Sequence, residues 1–278
     1  MKLQFGGADR SPLDNRRRRR LAFLTITIAF LVLVPIQTLR LLSLGDEASV
    51  GIDYRPIMEA ADRWVEGESF YPARQLEGPY IRLGLLPDGT TEINYPPIAL
   101  YLFVPFTVLP ALLWWVLPLG LVALALVRMR PAMWTWPILA FLLYNPKTQE
   151  VIIAGNPGMW VTAAVAWGLL LGWPAMAVAI KPSLGPLALV GVRHRSWWVG
   201  LAVVAVAALP FGLGMWLDWI AGIRNMTNGT VLYSAHELWI NAIPIVAWLG
   251  SERGHAALVA ARSRLGAMWE RPRRASRG

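Results

Sequence analysis

Gly51-Ile52-Asp53-Tyr54-Arg55-Pro56 opens, and Asn94-Tyr95-Pro96-Pro97 closes, the one long polar stretch between long apolar ones in this chain. Residues 44–95 hold ten of the 17 acidic residues, Asp46 and Glu47 included, against four arginines. Around this stretch, 56% of the 278 residues are hydrophobic and 15% are charged, with a mean hydropathy of +0.46. That balance is wrong for a soluble domain of this length and right for an all-α polytopic membrane protein. Fifteen Trp suit interfacial aromatic belts. With no Cys, disulfides, thiolate metal sites and cysteine nucleophiles are excluded.

The net charge of +9 invites a nucleic-acid partner, but its placement argues against one. The cations sit in short clusters beside apolar runs: Arg16 to Arg20, Arg128 and Arg130, Arg193 to Arg195, and the tail from Arg262 to Arg277. This is the positive-inside pattern. It puts both termini in the cytoplasm and the acidic loop 44–95 outside.

Residues 1–20 read as a basic cytoplasmic tail, 21–250 as one membrane domain and 251–278 as a second basic tail. Leu21–Leu42 is long enough to cross about 30 Å of hydrocarbon and reads as a retained signal anchor. Within the loop, Arg55 to Glu66 has helical periodicity. Ile57, Met58, Ala61, Trp64 and Val65 share one face, opposite Glu59, Asp62, Arg63 and Glu66. Such a helix is expected to lie in the membrane interface. Pro97–Val127 reads as a broken or kinked crossing, because Pro105, Pro110 and Pro118 interrupt it. Ala132–Tyr144 ascends, Asn145–Asn156 is a polar connection and Gly158–Gly172 descends. Trp173–Gly191 is broken by Lys181-Pro182 into arms too short to cross, so it reads as a re-entrant hairpin with that pair at its tip. Trp197–Trp216 ascends, Asp218–Glu237 lies outside and Leu238–Leu249 descends. The expectation is six crossings plus the hairpin.

Several residues could carry chemistry. Asp53 is either a solvated carboxylate, a local cap for the helix after it, or a base positioned over the membrane to accept a hydroxyl proton. Lys181 is an ammonium within an apolar run. It needs a partner there, either a carbonyl or carboxylate such as Glu150, or the phosphate of a lipid head group. His236 is the one histidine expected on the same face as Asp53. Tyr95 with its prolines suits the entry to the next span. Metal binding has no support, since Asp-x-Asp, a His pair at helical spacing and Cys are all missing. Phosphate-loop and dinucleotide fingerprints are missing too, so no nucleotide cofactor is expected. An activated donor at an external site would then be lipid-linked.

The order of these motifs carries a resemblance. It comprises Gly-x-Asp53-Tyr54-Arg55-Pro, Trp64-Val-Glu-Gly67, Tyr71, Tyr95-Pro-Pro97, Gly155-Asn156 and Ile180-Lys181-Pro182. The chain resembles the GT-C superfold of polytopic glycosyltransferases over about residues 20–245. Within that superfold it is most similar to the polyprenol-phosphate-mannose-dependent mannosyltransferases of glycosyltransferase family 87. The resemblance implies inverting, metal- and nucleotide-independent transfer of a hexose, with mannose the sugar it points to. The donor would be a polyprenyl-phosphate sugar and the acceptor a glycolipid or glycan, at the external face of a bacterial plasma membrane. It implies Asp53 as base. Lys181, His236 and Arg224 would stand near the donor phosphate, and Tyr54, Arg55 and Tyr95 would line the substrate site. Members of that family carry more spans, which implies a shortened fold or one completed by a partner membrane chain. Two other readings stand beside it: a transporter or flippase for a lipid or small anion, with Lys181 on the path, and a non-catalytic membrane subunit.

Overall fold

The computed structural model describes residues 50–81, 91–227, 233–260 and 263. The expected first span Leu21–Leu42, the tail before it and most of the tail after Ser251 lie outside these residues. Among the described residues there is no strand. Tyr80 and Met226 form one isolated parallel bridge, and the rest is helix and connection.

Helix α1 (Tyr54–Val65) begins one residue before its expected start and ends one before its expected end. Pro56 is tolerated in its first turn, where the backbone N–H groups have no intrahelical partner. Ile57, Met58, Ala60 and Ala61 are buried. They face the short segments α3 (Leu100–Phe103) and α4 (Pro105–Val108), which follow the five-residue α2 (Ala73–Glu77) in the chain. The apolar face of α1 is therefore covered by protein rather than by a membrane interface. Only Trp64 and Val65, at its end, remain exposed.

Prolines and glycines cut the apolar runs into pieces shorter than a span. Residues Pro97–Val108 and helix α5 (Leu113–Met129) meet at a bend of 119°. Helix α6 (Trp136–Tyr144) leads into α7 (Pro146–Ala154), so the expected polar connection is itself helical. Helices α7 and α8 (Gly158–Leu171) meet at 110° across Gly155-Asn156-Pro157. Among the described residues one helix is long and apolar enough to cross a membrane: Arg195–Asn225, 31 residues with a hydropathy of 2.0 in its most apolar window. The count is up to three if each bent pair is one span, against the five of the six expected crossings that fall among the described residues. The long helix comprises α9 (Arg195–Ala208) and α10 (Gly212–Asn225), with a 3-10 turn at Leu209–Phe211 between them. It runs straight through Asp218, which was expected in an external loop. Val199, Val203, Val206, Leu209, Leu213, Leu217 and Ile220 are exposed at three- and four-residue spacing, a continuous bare apolar stripe.

Trp173–Ile180 and Pro182–Gly191 are both 3-10 helices, broken at Lys181. A Cβ on Gly191 would overlap the backbone of Gly172, so the two ends of the hairpin touch and the chain turns back at Lys181. The three-residue period of a 3-10 helix stacks side chains at i and i+3. Ala175, Val178 and Lys181 thus form one inward row, each almost fully buried. Helix α11 (Leu238–Leu249) packs against α8 and α6 and closes the body.

The acidic loop is fastened by side-chain amides rather than by a sheet. Gln75 accepts from Ile93 N at 2.9 Å and donates to Ile93 O at 2.8 Å, replacing a strand partner. Asn225 Nδ2 donates to the carbonyls of Gln75 and Leu76, and Trp219 Nε1 donates to Asn94 O. The loop's amino-terminal end is tied to the end of α7. An α-helix leaves its last carbonyls without intrahelical partners, and here every one is met. Val151 O accepts from Asn156 N, Ile153 O from Gly51 N and Ala154 O from Asp53 N. Ile152 O accepts from the Trp115 indole and Gly155 O from the Trp114 indole, each at 2.7 Å. Gly155 makes this possible. Its φ is +70°, and a Cβ would lie 2.7 Å from the Trp115 ring and 2.8 Å from Tyr54 Cβ. Gly155→Ala is expected to destabilise the protein by about 2 kcal/mol or more, from left-handed backbone and overpacking together. Gly120→Ala, where nothing lies within 4 Å, should be neutral or stabilising by up to about 1 kcal/mol. Thermal unfolding of the detergent-solubilised chain checks both signs.

Candidate functional site

Four elements meet at the corner between α7 and α8. The Lys181 ammonium lies 2.6 Å from Glu237 Oε1, with the two side chains 2% and 1% exposed. It also donates to Asn156 Oδ1 at 2.9 Å. Asn156 Oδ1 accepts a second hydrogen bond from Gly158 N at 2.7 Å, and Asn156 Nδ2 donates to Asp53 Oδ2 at 2.6 Å. Two donors at one end fix which end is oxygen, so the amide nitrogen must face the carboxylate. Asp53, Asn156, Lys181 and Glu237 form one continuous polar chain through an apolar body.

Each member is held for a local reason. Asp53 precedes α1, but its side chain makes no cap for that helix. Its backbone N–H is held by Ala154 O and its carboxylate turns to Asn156. Asn156 stands where α8 starts, its side chain bonded two residues ahead in an Asx turn. Glu237 ends the 3-10 turn Tyr233–Glu237, and its carboxylate rests against Gly158 so closely that any Cβ there would overlap Oε2. It thus sits at the amino-terminal end of α8, where helix polarity favours negative charge. Glu237 Oε2 is buried and accepts no hydrogen bond among the described groups. The Ser183 and Ser234 hydroxyls, 2.8 Å apart, give a second tie between the hairpin and this turn.

The expected site residues divide. Asp53 and Lys181 are joined through Asn156. Tyr95 stands beside them, its ring 5.6 Å from the Lys181 ammonium and edge-on to Phe103 at 5.3 Å. His236, one-third exposed, has its Nε2 3.9 Å from Glu237 Oε1 and so reaches the chain at its rim. Tyr54 packs between Trp114 and Trp115, with ring centroids 5.6 and 5.2 Å away, and is a wall of the corner. Burial and the nearby Asp62 push its phenol above the ordinary range. Arg55 is exposed and bonded to Val50 O, and Arg224 is exposed on α10. Glu150, the carboxylate offered by the sequence as a partner for Lys181, pairs instead with Lys147 on the surface at 2.8 Å. Sequence reasoning passed over Glu237 and Asn156 as members of the site. Glu237 is the only acidic residue between Asp218 and Glu252, and a carboxylate next to an apolar span is the partner a buried lysine requires. Among the described residues no three His, Asp or Glu side chains converge as a metal-binding group.

The loop wall opposite is also fixed. Tyr71 is buried and donates to Tyr95 O at 2.9 Å. Burial first, and the charge of Asp218 second, push its phenol well above the ordinary tyrosine range. The folded state therefore keeps that proton where the unfolded chain releases it, so stability falls as pH rises above about 10.

No family model, curated protein or solved structure matches the chain.

Two outcomes are expected. Lys181→Met or Glu237→Leu alone leaves a buried charge without its partner and costs about 3–5 kcal/mol. The double variant, with two apolar side chains, regains most of that. A denaturation cycle over the four proteins measures the coupling, and strictly additive losses would show that the pair is not an ion pair. Tyr71→Phe is expected to flatten the loss of stability above pH 10, read from unfolding midpoints between pH 8 and 11.

Proposed function

We propose that the chain is a membrane-embedded glycosyltransferase of the GT-C kind. It moves a hexose, by resemblance mannose, from a polyprenyl-phosphate sugar to a glycolipid or glycan acceptor at the external face, without metal or nucleotide. The observation that carries the reading is the Asp53 carboxylate held by Asn156 Nδ2, with Asn156 itself fixed by a buried lysine. A carboxylate oriented by a rigid support suits a general base. The bare apolar stripe of the long helix supports a lipid setting, and broken helices beside the polar corner leave room for an isoprenoid chain.

In this reading Asp53 accepts the proton of the acceptor hydroxyl. The oxygen attacks the anomeric carbon on the face opposite the phosphate. The bond from that carbon to the phosphate oxygen breaks, and polyprenyl phosphate leaves with the electron pair. His236 and Arg224 offset its charge. Lys181, committed to Glu237 and Asn156, serves by positioning Asp53 through Asn156 rather than by meeting phosphate directly. The buried Lys181–Glu237 pair between two broken segments also favours a second reading, a transporter for a lipid or small anion in which that pair opens.

The test is transfer of radiolabel from a polyprenyl-phosphate sugar to a mixed glycolipid pool by the purified chain. Wild type is expected to give labelled glycolipid, and Asp53→Asn to lose at least roughly 100-fold in rate. Equal labelling by both proteins would remove Asp53 as base. Donor binding without labelled product, together with label crossing the bilayer of sealed vesicles, would favour transport.

A further inference from the structure

We propose that the far end of α5 is a binding site for the phosphate head group of an anionic membrane lipid. A cavity of about 600 Å³ opens there, lined by Val127, Arg128, Met129, Arg130, Glu252 and Arg253. Trp114, at the other end of α5, belongs to the Asp53 corner. Fourteen residues of α-helix separate Trp114 from Arg128, about 21 Å at 1.5 Å per residue. The cavity is therefore distinct from the Asp53 site, and the inference stands apart from any transfer chemistry.

The corner is built by two segments far apart in sequence. Helix α5 ends at Arg130 in a left-handed conformation, φ 51°, the one positive φ at a non-glycine among the described residues. Its N–H closes on Leu126 O. An arginine there costs about 1 kcal/mol or more in backbone strain. The turn brings Ala132 N to Gly250 O at 2.9 Å, and Thr135 packs on Gly250 with no room for a Cβ. Arg128 and Arg130 are thereby set beside Glu252 and Arg253. Arg128 is held in place, its guanidinium 4.8 Å from the centre of the Trp167 ring, while Trp167 Nε1 donates to Leu121 O.

Three arginines and one glutamate line the cavity, a net of two positive charges around a space of ligand size. The planar fork of arginine matches phosphate oxygens in pairs. The walls select a lipid over a free anion. Val127 lines the cavity and is 72% exposed, with Leu124 exposed one turn before it. Leu258 and Val259, on the helical stretch 252–260, are exposed too. Apolar surface thus runs from the cationic corner along both segments, the arrangement that an anionic head group with acyl chains fills.

The test uses the full chain in detergent. Unfolding midpoints and native mass spectra are recorded with phosphatidylglycerol, phosphatidylcholine or inorganic phosphate. Phosphatidylglycerol is expected to raise the midpoint and stay bound in the gas phase, while phosphatidylcholine does neither. Arg128→Gln with Arg253→Gln should weaken phosphatidylglycerol binding at least tenfold. Arg193→Gln with Arg195→Gln, outside the cavity, should leave it unchanged. Equal effects of the two lipids, equal protection by inorganic phosphate, or equal loss in both variants would each overturn the assignment.

Discussion

A lysine ammonium with 2% exposure cannot be solvated by water, and the rest of the site follows from that. Its charge must be met inside the protein. Glu237 meets it from the turn before α11, and Asn156 meets it from the corner between α7 and α8. These contacts lock three segments that prolines and glycines have otherwise cut apart. The 3-10 form of the hairpin is part of the same solution. Its period of three keeps Lys181 on the inward row with Ala175 and Val178, where an α-helix would rotate it out of line. Once Lys181 is fixed, Asn156 has one orientation, and Asp53 receives a donor whose direction is set from behind.

The breaks in the helices do chemical work of a second kind. Each break exposes backbone groups that an apolar medium cannot hydrate, so only internal partners can satisfy them. At the end of α7 those partners are two indoles and the backbone of the loop that carries Asp53. The segment Gly51 to Asp53 thus terminates a helix rather than standing over the body. Gly155 and Gly158 flank Asn156 for the same steric reason: a methyl group at either would collide with Tyr54 and Trp115, or with the Glu237 carboxylate.

Helix α1, the polar loop and the Lys181 break were legible because each leaves a local mark: a period, a charge run, a cation among apolar residues. The partners of Lys181 were not. Glu237 lies 56 residues ahead of it and Asn156 25 behind, and no periodicity links them. Glu150 was the nearer carboxylate by sequence, yet its neighbour Lys147, three residues before it on the same helix, takes it at the surface. Fewer candidate spans than expected stand among the described residues, for a related reason. Apolar length was counted as span, but Leu139, Leu142, Val161 and Val165 are buried in helices of nine and 14 residues, each packed on Leu238–Leu249. The membrane face of α1 failed likewise, since an amphipathic helix does not say what covers its apolar side.

The charges of the corner constrain how a transferase would use it. Asp53 and Glu237 carry two negative charges and Lys181 one positive. A polyprenyl phosphate adds further negative charge, so its phosphate is repelled from Asp53 and drawn toward the rim. His236 stands at that rim. A donor bound that way leaves its sugar nearer Asp53 than its phosphate, which is the order an attack opposite the leaving group requires. On this reasoning Glu237 has two tasks. It neutralises Lys181, which lets Asn156 hold Asp53, and in a transferase it would deny Lys181 to the donor phosphate.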